Sequence, residues 1–191
     1  MKEGYSIELL FDKNFESYVH DLWLSCAENN LSNYMTSIEG DSVPHIALSV
    51  YESVDKQEIQ SLFDRYKNVD IIKAEFQSSA ICMFKATNVI YINVNVNRDM
   101  LNYFEDVYHF FVGISDKCSP YYLPYVIIPH ISIAKCNDFE KAKKCWMHIA
   151  NIFQPQKFWV EKIALFKLYF DDNNQLTKCK KVDEIMLDSP K

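Results

Sequence analysis

Residues 6–12 (SIELLFD) read as a strand, stopped by the polar run Asp12-Lys13-Asn14. From there Phe15, Tyr18, Val19, Leu22, Trp23 and Cys26 recur at the three- and four-residue steps of one helix face, with Asp12 or Asn14 placed to cap it. A polar stretch containing Gly40 leads to a short strand that starts at Pro44 (PHIALSV). Asp55 and Glu58 have the spacing of an N-terminal capping pair, and Ile59, Leu62, Phe63 and Tyr66 mark the helix that follows. An extended segment, roughly residues 71–84, closes the first half.

The same order then recurs. Residues 89–96 (VIYINVNV) alternate apolar and polar as a half-buried strand does. Leu101, Phe104, Tyr108 and Phe111 predict a helix starting near Asp99, and Pro120 and Pro124 break the chain before a second strand with a Pro-His step (VIIPHISIAK). Ala142, Cys145, Trp146, Ile149, Ala150 and Phe153 give a helical stripe after Asn137-Asp138. Residues 159–170 read as a strand, Asn173-Asn174 as a turn, and residues 175–187 as the strand that completes a hairpin. Tyr5 precedes His45 by 40 residues, and Ile90 precedes His130 by 40. Both halves therefore read strand, helix, Pro-His strand, helix, strand, a repeat of topology with little identity outside the Pro-His steps.

Composition narrows the chemistry. The 191 residues fit one domain, and with 49% apolar and 24% charged residues a sizeable core is expected. Gly4, Gly40 and Gly113 are the only glycines, which excludes the clustered-glycine loops that bind dinucleotides or cradle nucleotide phosphates. Any phosphate must be held by side chains. A net charge of −6 argues for a small anionic ligand or a nucleic-acid end and against duplex DNA. The six cysteines form no C-x-x-C pair, and the chain shows no secretory leader and no long apolar span. A reduced, cytoplasmic, monomeric protein without membrane contact is expected.

The two Pro-His segments carry the candidate site: Pro44-His45-Ile46-Ala47-Leu48 and Pro129-His130-Ile131-Ser132-Ile133. Alternate strand residues share a face, so His45 goes with Ala47 and His130 with Ser132, while Ile46, Leu48, Ile131 and Ile133 enter the core. Two imidazoles facing each other across a cleft make a base and an acid near neutral pH. That pair suits the opening of a cyclic phosphodiester with no metal, with Ser132 as a neutral donor to the phosphate.

In these motifs the sequence resembles the 2H phosphoesterase superfamily, whose signature is a pair of H-x-[ST]-x motifs, and within it the 2′-5′ RNA ligase and cyclic phosphodiesterase branch. The resemblance implies an α+β fold, bilobal, with a duplicated β-α-β-α-β arrangement and antiparallel sheets around a central cleft. The single domain, residues 1–191, would divide into pseudo-symmetric lobes of about 1–86 and 87–191. It further implies His45 and His130 as catalytic residues, His130 as base and His45 as acid, Ser132 at the second hydroxyl position, no cofactor, and a small nucleotide or RNA terminus as substrate.

One position departs from the pattern. Ala47 stands where the first hydroxyl belongs. A missing phosphate donor costs ~2–4 kcal/mol of transition-state stabilisation, and Ser49, on the same strand face but about 7 Å farther along, is a poor replacement. Two other outcomes follow: a nucleotide-binding protein that has lost catalysis, or a nuclease of cyclic oligonucleotide signals. Tyr121, Tyr122 and Tyr125 on the Pro-flanked loop, and Phe84 between the halves, are candidates to stack a base. By strict alternation Lys135 falls on the Ile131 face, away from His130. His20, His109, His148 and Cys136 read as packing or surface residues.

Overall fold

A computed structural model describes residues 2–190. In chain order the elements are β1 (Lys2–Phe11), α1 (Lys13–Glu28), α2 (Tyr34–Ser37), β2 (Glu39–Gly40), β3 (His45–Glu52), α3 (Lys56–Tyr66), β4 (Ala74–Phe84), β5 (Val89–Val94), α4 (Arg98–Phe110), β6 (His130–Lys135), α5 (Phe139–Ile152), β7 (Lys157–Phe170) and β8 (Leu176–Met186). Two short 3-10 turns, Val112–Lys117 and Pro120–Tyr122, carry the chain from α4 to β6.

Helix starts follow the side-chain chemistry of the sequence. Asp12 accepts from the backbone N–H groups of Asn14 and Phe15, Asp55 from Gln57 and Glu58, Asn97 from Met100 and Asp138 from Lys141. Each such cap is worth about 1 kcal/mol, because it satisfies N–H groups that have no partner inside the helix. Glu58 does not complete a reciprocal capping pair; its carboxylate accepts from Lys117 instead.

The fold is α+β, and its strand pairing obeys an approximate twofold relation. β1 lies between β3 and β7, and β5 lies between β6 and β4, all antiparallel. The first residues of β4 and β7 pair with each other, Ala74 to Gln77 against Lys157 to Val160, and join the two three-stranded units into one sheet. β8 continues along β7 antiparallel, and the two-residue β2 adds to β8 in parallel.

The halves of the sequence are thus interlocked. β4 of the first half completes the unit built on β5, and β7 of the second half completes the unit built on β1. The helices exchange too: α1 packs near β6 and α5, while α4 packs against β3, its Phe110 ring 4.9 Å from Tyr66 of α3. A division of the chain near residue 86 therefore does not coincide with a division of the sheet. The α1 face buries Phe15, Val19, Leu22, Trp23 and Cys26, and Phe15 stacks on Phe158 of β7 at 4.1 Å. Truncating Phe15 to Ala would cost about 3–5 kcal/mol by the cavity left behind.

The expected α4 stripe is shifted in part, and the expected α5 stripe is narrower than predicted. In α4 the buried residues are Met100, Tyr103, Phe104 and Val107, and Leu101 is 46% exposed. In α5 they are Ala142, Cys145 and Ile149, while Trp146 sits at the rim and donates its Nε1 proton to the Ile81 carbonyl. In both cases a neighbouring apolar residue widened the sequence pattern beyond the face that packs.

Candidate active site

Each Pro-His step builds the same local device. Proline fixes its own φ and holds the residue before it extended. This brings the carbonyl two residues ahead of the histidine back onto the ring. His45 Nδ1 donates to the Val43 carbonyl at 2.8 Å, and His130 Nδ1 donates to the Ile128 carbonyl at 2.7 Å. With Nδ1 holding a proton against a carbonyl, Nε2 is left as the working atom in both rings, an acceptor when neutral and a donor when charged. Pro44 and Pro129 are buried, and both histidines are half-buried.

Strand alternation places the neighbours as expected up to two residues beyond each histidine. Ile46, Leu48, Ile131 and Ile133 are all buried. Then a bulge intervenes at the same place in both strands. On β1 the partner of Glu8 is Ala47 and the partner of Ile7 is Ser49, so Leu48 is the extra residue; on β5 Tyr91 pairs with Ser132 and Ile90 with Ala134, so Ile133 is extra. A bulge reverses the alternation beyond it.

This overturns two sequence expectations. Ser49 is 3% exposed and lies on the core side, not on the His45 face. Lys135 follows the second bulge, and its alternation is reversed onto the half-buried side with His130 and Ser132, where its ammonium lies 5.1 Å from the centre of the Tyr34 ring.

The pairing register sets Leu10 across from His45 and Asn93 across from His130. β3 and β6 approach one another without ladder pairing. Trp23 of α1 donates its Nε1 proton to the Ser132 carbonyl at 2.9 Å and so anchors the middle of β6 from behind.

The surroundings of the two histidines differ in kind. Around His130 they are aromatic: the Phe84 ring lies 5.0 Å away edge to face, Tyr91 lies 5.3 Å away, and those two rings stack on each other at 4.1 Å. Burial holds His130 below its usual 6.5; the Ile128 carbonyl opposes this, and the positive charge of His45 adds to it. Around His45 the neighbour is a carboxylate. Glu8 Oε2 stands 3.3 Å from His45 Nδ1, and Glu8 Oε1 accepts from Ser6 Oγ at 2.5 Å. Burial pushes the Glu8 carboxyl up, against the lowering effects of His45 and Ser6.

Of the candidates named from sequence, His45, His130, Ser132 and Phe84 share this region, with Phe84 as the last residue of β4 rather than in a loop. Tyr122 is half-buried and close enough to Glu8 to feel its charge; its hydroxyl is pushed up to about 12, chiefly by burial. Tyr125 is 90% exposed and gives its hydroxyl proton to Glu105 of α4 at 3.0 Å. Tyr121 is exposed as well. Cys136 is buried and its thiol is pushed up to about 12 by that burial, which disfavours a thiolate nucleophile. His148 bonds Ser25 between α5 and α1, and the His20 ring lies 6.0 Å from that of Trp23. Glu8 and Tyr91 were not anticipated. The one available signal was a charged residue in the middle of an otherwise apolar strand, SIELLF.

Among the described residues no group of three His, Cys, Asp or Glu side chains is placed to hold a metal ion. Nor is any described helix long and apolar enough to cross a membrane.

No protein-family model matches the sequence, and no curated protein matches it. Solved structures do. Escherichia coli LigT in apo form superposes with a TM-score of 0.66 at 9% identity, covering 98% of each chain. TT0787 of Thermus thermophilus superposes at 0.64 with 12% identity over 100% of both chains. A further crystal structure, described as a phosphoesterase, gives 0.61 at 11% identity over 97% of this chain and 98% of that one. At such identities the likeness is one of backbone architecture, and it extends over essentially the whole chain: this protein has the LigT fold.

Proposed function

We propose that this protein is a metal-independent phosphodiesterase of the 2H phosphoesterase type, opening a 2′,3′-cyclic phosphate or cleaving a 2′-5′ linkage or related small nucleotide. The observation that carries this reading is the paired Pro-His device: two rings on neighbouring strands, each with Nδ1 held by a carbonyl and Nε2 left for chemistry. LigT, whose fold the chain shares, crystallises with 3′-AMP, ATP, NADP+ and phosphate, ligands that share a phosphoryl group.

His130, kept neutral by its aromatic surroundings, takes a proton from water through Nε2. The hydroxide attacks phosphorus, and the bond from phosphorus to the leaving sugar oxygen breaks. His45 gives that oxygen its Nε2 proton, which leaves a phosphomonoester and a free hydroxyl. Ser132, on the His130 face, donates to a phosphate oxygen as charge builds. Phe84 and Tyr91 offer a surface for a base, and Tyr122 and Tyr125 lie on the loop that leads into β6. The partner is a nucleotide or RNA end, met by a monomer in the cytoplasm.

A panel of cyclic mononucleotides, 2′-5′ dinucleotides and cyclic oligonucleotides, incubated with and without chelator, tests this. The expected result is a monoester product formed at the same rate in both. Activity that disappears with chelator overturns the mechanism. Ala47 favours the second reading, a nucleotide binder: saturable binding with no product over hours would establish it.

A further inference from the structure

Glu8 is a costly residue. It is 4% exposed in a central strand whose neighbours Ile7 and Leu9 are fully buried, and its cross-strand neighbour on β7 is Ala164. A carboxyl removed from water at such a position destabilises the fold unless its oxygens are partnered. Here Oε1 takes the Ser6 hydroxyl at 2.5 Å, and Oε2 faces His45 Nδ1 at 3.3 Å, whose proton goes to the Val43 carbonyl, so that oxygen is met by charge alone. Ser6, Glu8 and Leu10 alternate onto one side of β1, and Glu8 and Leu10 stand across from Ala47 and His45. From other elements, the Tyr122 hydroxyl and the Cys179 thiol of β8 are near enough to feel its charge, and both are raised by it after burial itself. His45 is the positive charge that acts on it.

We propose that Glu8, held by Ser6, is a positioning residue for His45: its carboxylate, 3.3 Å from the Nδ1 that the Val43 carbonyl holds, supports by its charge the imidazolium form that delivers the proton to the leaving oxygen. This accounts for Ala47. Directly opposed side chains in an antiparallel pair have Cβ atoms only about 4.5–5.5 Å apart. A hydroxyl at position 47 would compete with Ser6 for the carboxylate and fill the space beside it. The small residue and the buried acid are one arrangement, in which charge support for His45 stands in place of a second neutral donor to the phosphate. The other unit shows the counterpart. Tyr91, at the equivalent place on β5, presents a ring to His130, whose burial favours the neutral form.

The inference rests on the acid–base reading above, so its test separates the two. Glu8→Gln is isosteric and keeps an acceptor for Ser6; Glu8→Asp keeps the charge. Turnover is measured on a ribonucleoside 2′,3′-cyclic phosphate, whose alkoxide leaving group needs a proton, and on bis(p-nitrophenyl) phosphate, whose leaving group does not. E8Q is expected to lower kcat on the cyclic phosphate about 10- to 100-fold, with KM within about threefold. Release of nitrophenol should change less than about threefold, and E8D should recover part of the loss. An equal loss on both substrates, or no loss on either, overturns the positioning role. If the unaltered protein turns over neither substrate, the acid–base reading fails. Nitrogen-15 NMR of the His45 ring at a fixed near-neutral pH then still decides: a smaller imidazolium fraction in E8Q supports the coupling, and an unchanged one refutes it.

Discussion

Glu8 and Tyr91 occupy equivalent places in the two interlocked units, the first across from Ala47 and the second across from Ser132, each at the edge of a bulge that follows a Pro-His step. One brings a negative charge to His45 and the other an aromatic face to His130. A duplicated scaffold thus holds two histidines in different surroundings, one beside a buried carboxyl group and one among aromatic rings. Under the proposed function that difference would divide the work of acid and base between two chemically identical side chains, and the outcomes expected below follow from it.

Because His130 is held below 6.5 in the folded protein, it stays neutral, and able to accept a proton, into mildly acid solution. The acid limb of kcat/KM for cyclic phosphate opening is therefore expected to have its midpoint below pH 6.5. Phe84→Ala, which opens one side of the ring to water, should move that midpoint upward. A limb centred above 6.5, or one indifferent to Phe84, contradicts the assignment of His130 as base.

His45→Ala and His130→Ala each remove one proton-transfer group. Turnover should fall about 10²- to 10⁴-fold in each case. Both rings are half-buried, and their Nδ1 protons go to backbone carbonyls outside the core, so the melting temperature should change by only a few degrees. Calorimetry alongside steady-state kinetics distinguishes lost chemistry from lost folding.

Ser132→Ala leaves the histidines in place and deletes a phosphate donor. A loss of about 10²- to 10³-fold in kcat is expected if its hydroxyl meets the developing charge. Its backbone carbonyl still accepts from Trp23, so the strand stays anchored. A loss confined to KM would assign the residue to ground-state binding alone.

Burial holds the Glu8 carboxyl above its usual 4.5, so the folded chain binds that proton more tightly than the unfolded chain does. The stability this contributes is fully present below 4.5 and is lost as pH rises toward the folded-state value. Glutamine at position 8 has no such titration. Thermal melts should therefore show Glu8→Gln gaining on the parent as pH rises from acid to neutral, and a constant difference across that range refutes the expectation.

The legible parts of this protein were those governed by neighbours in sequence. Helix caps at Asp12, Asp55 and Asp138 lie at the predicted starts, because a cap bonds N–H groups two or three residues away. The two Pro-His steps were visible as motifs, whereas the bond from each ring to the carbonyl two residues before it emerged only with the structure. Ser49 and Lys135 were misplaced because a bulge depends on the partner strand, and no local pattern in ALSV or SIAK announces an extra residue.

From the chain alone follow the element order, its repetition, the two histidines with their apolar anchors, and the absence of any glycine-rich phosphate loop. All of these rest on periodicity and on short-range sterics. Tertiary structure decided the exchange of β4 and β7 between the halves, the approach of β3 to β6, and the company each imidazole keeps. Ladder bonds are alike at every residue, so which strand pairs with which is settled by packing across the whole core. Whether a buried acid or a ring stands beside a given histidine is settled by that pairing.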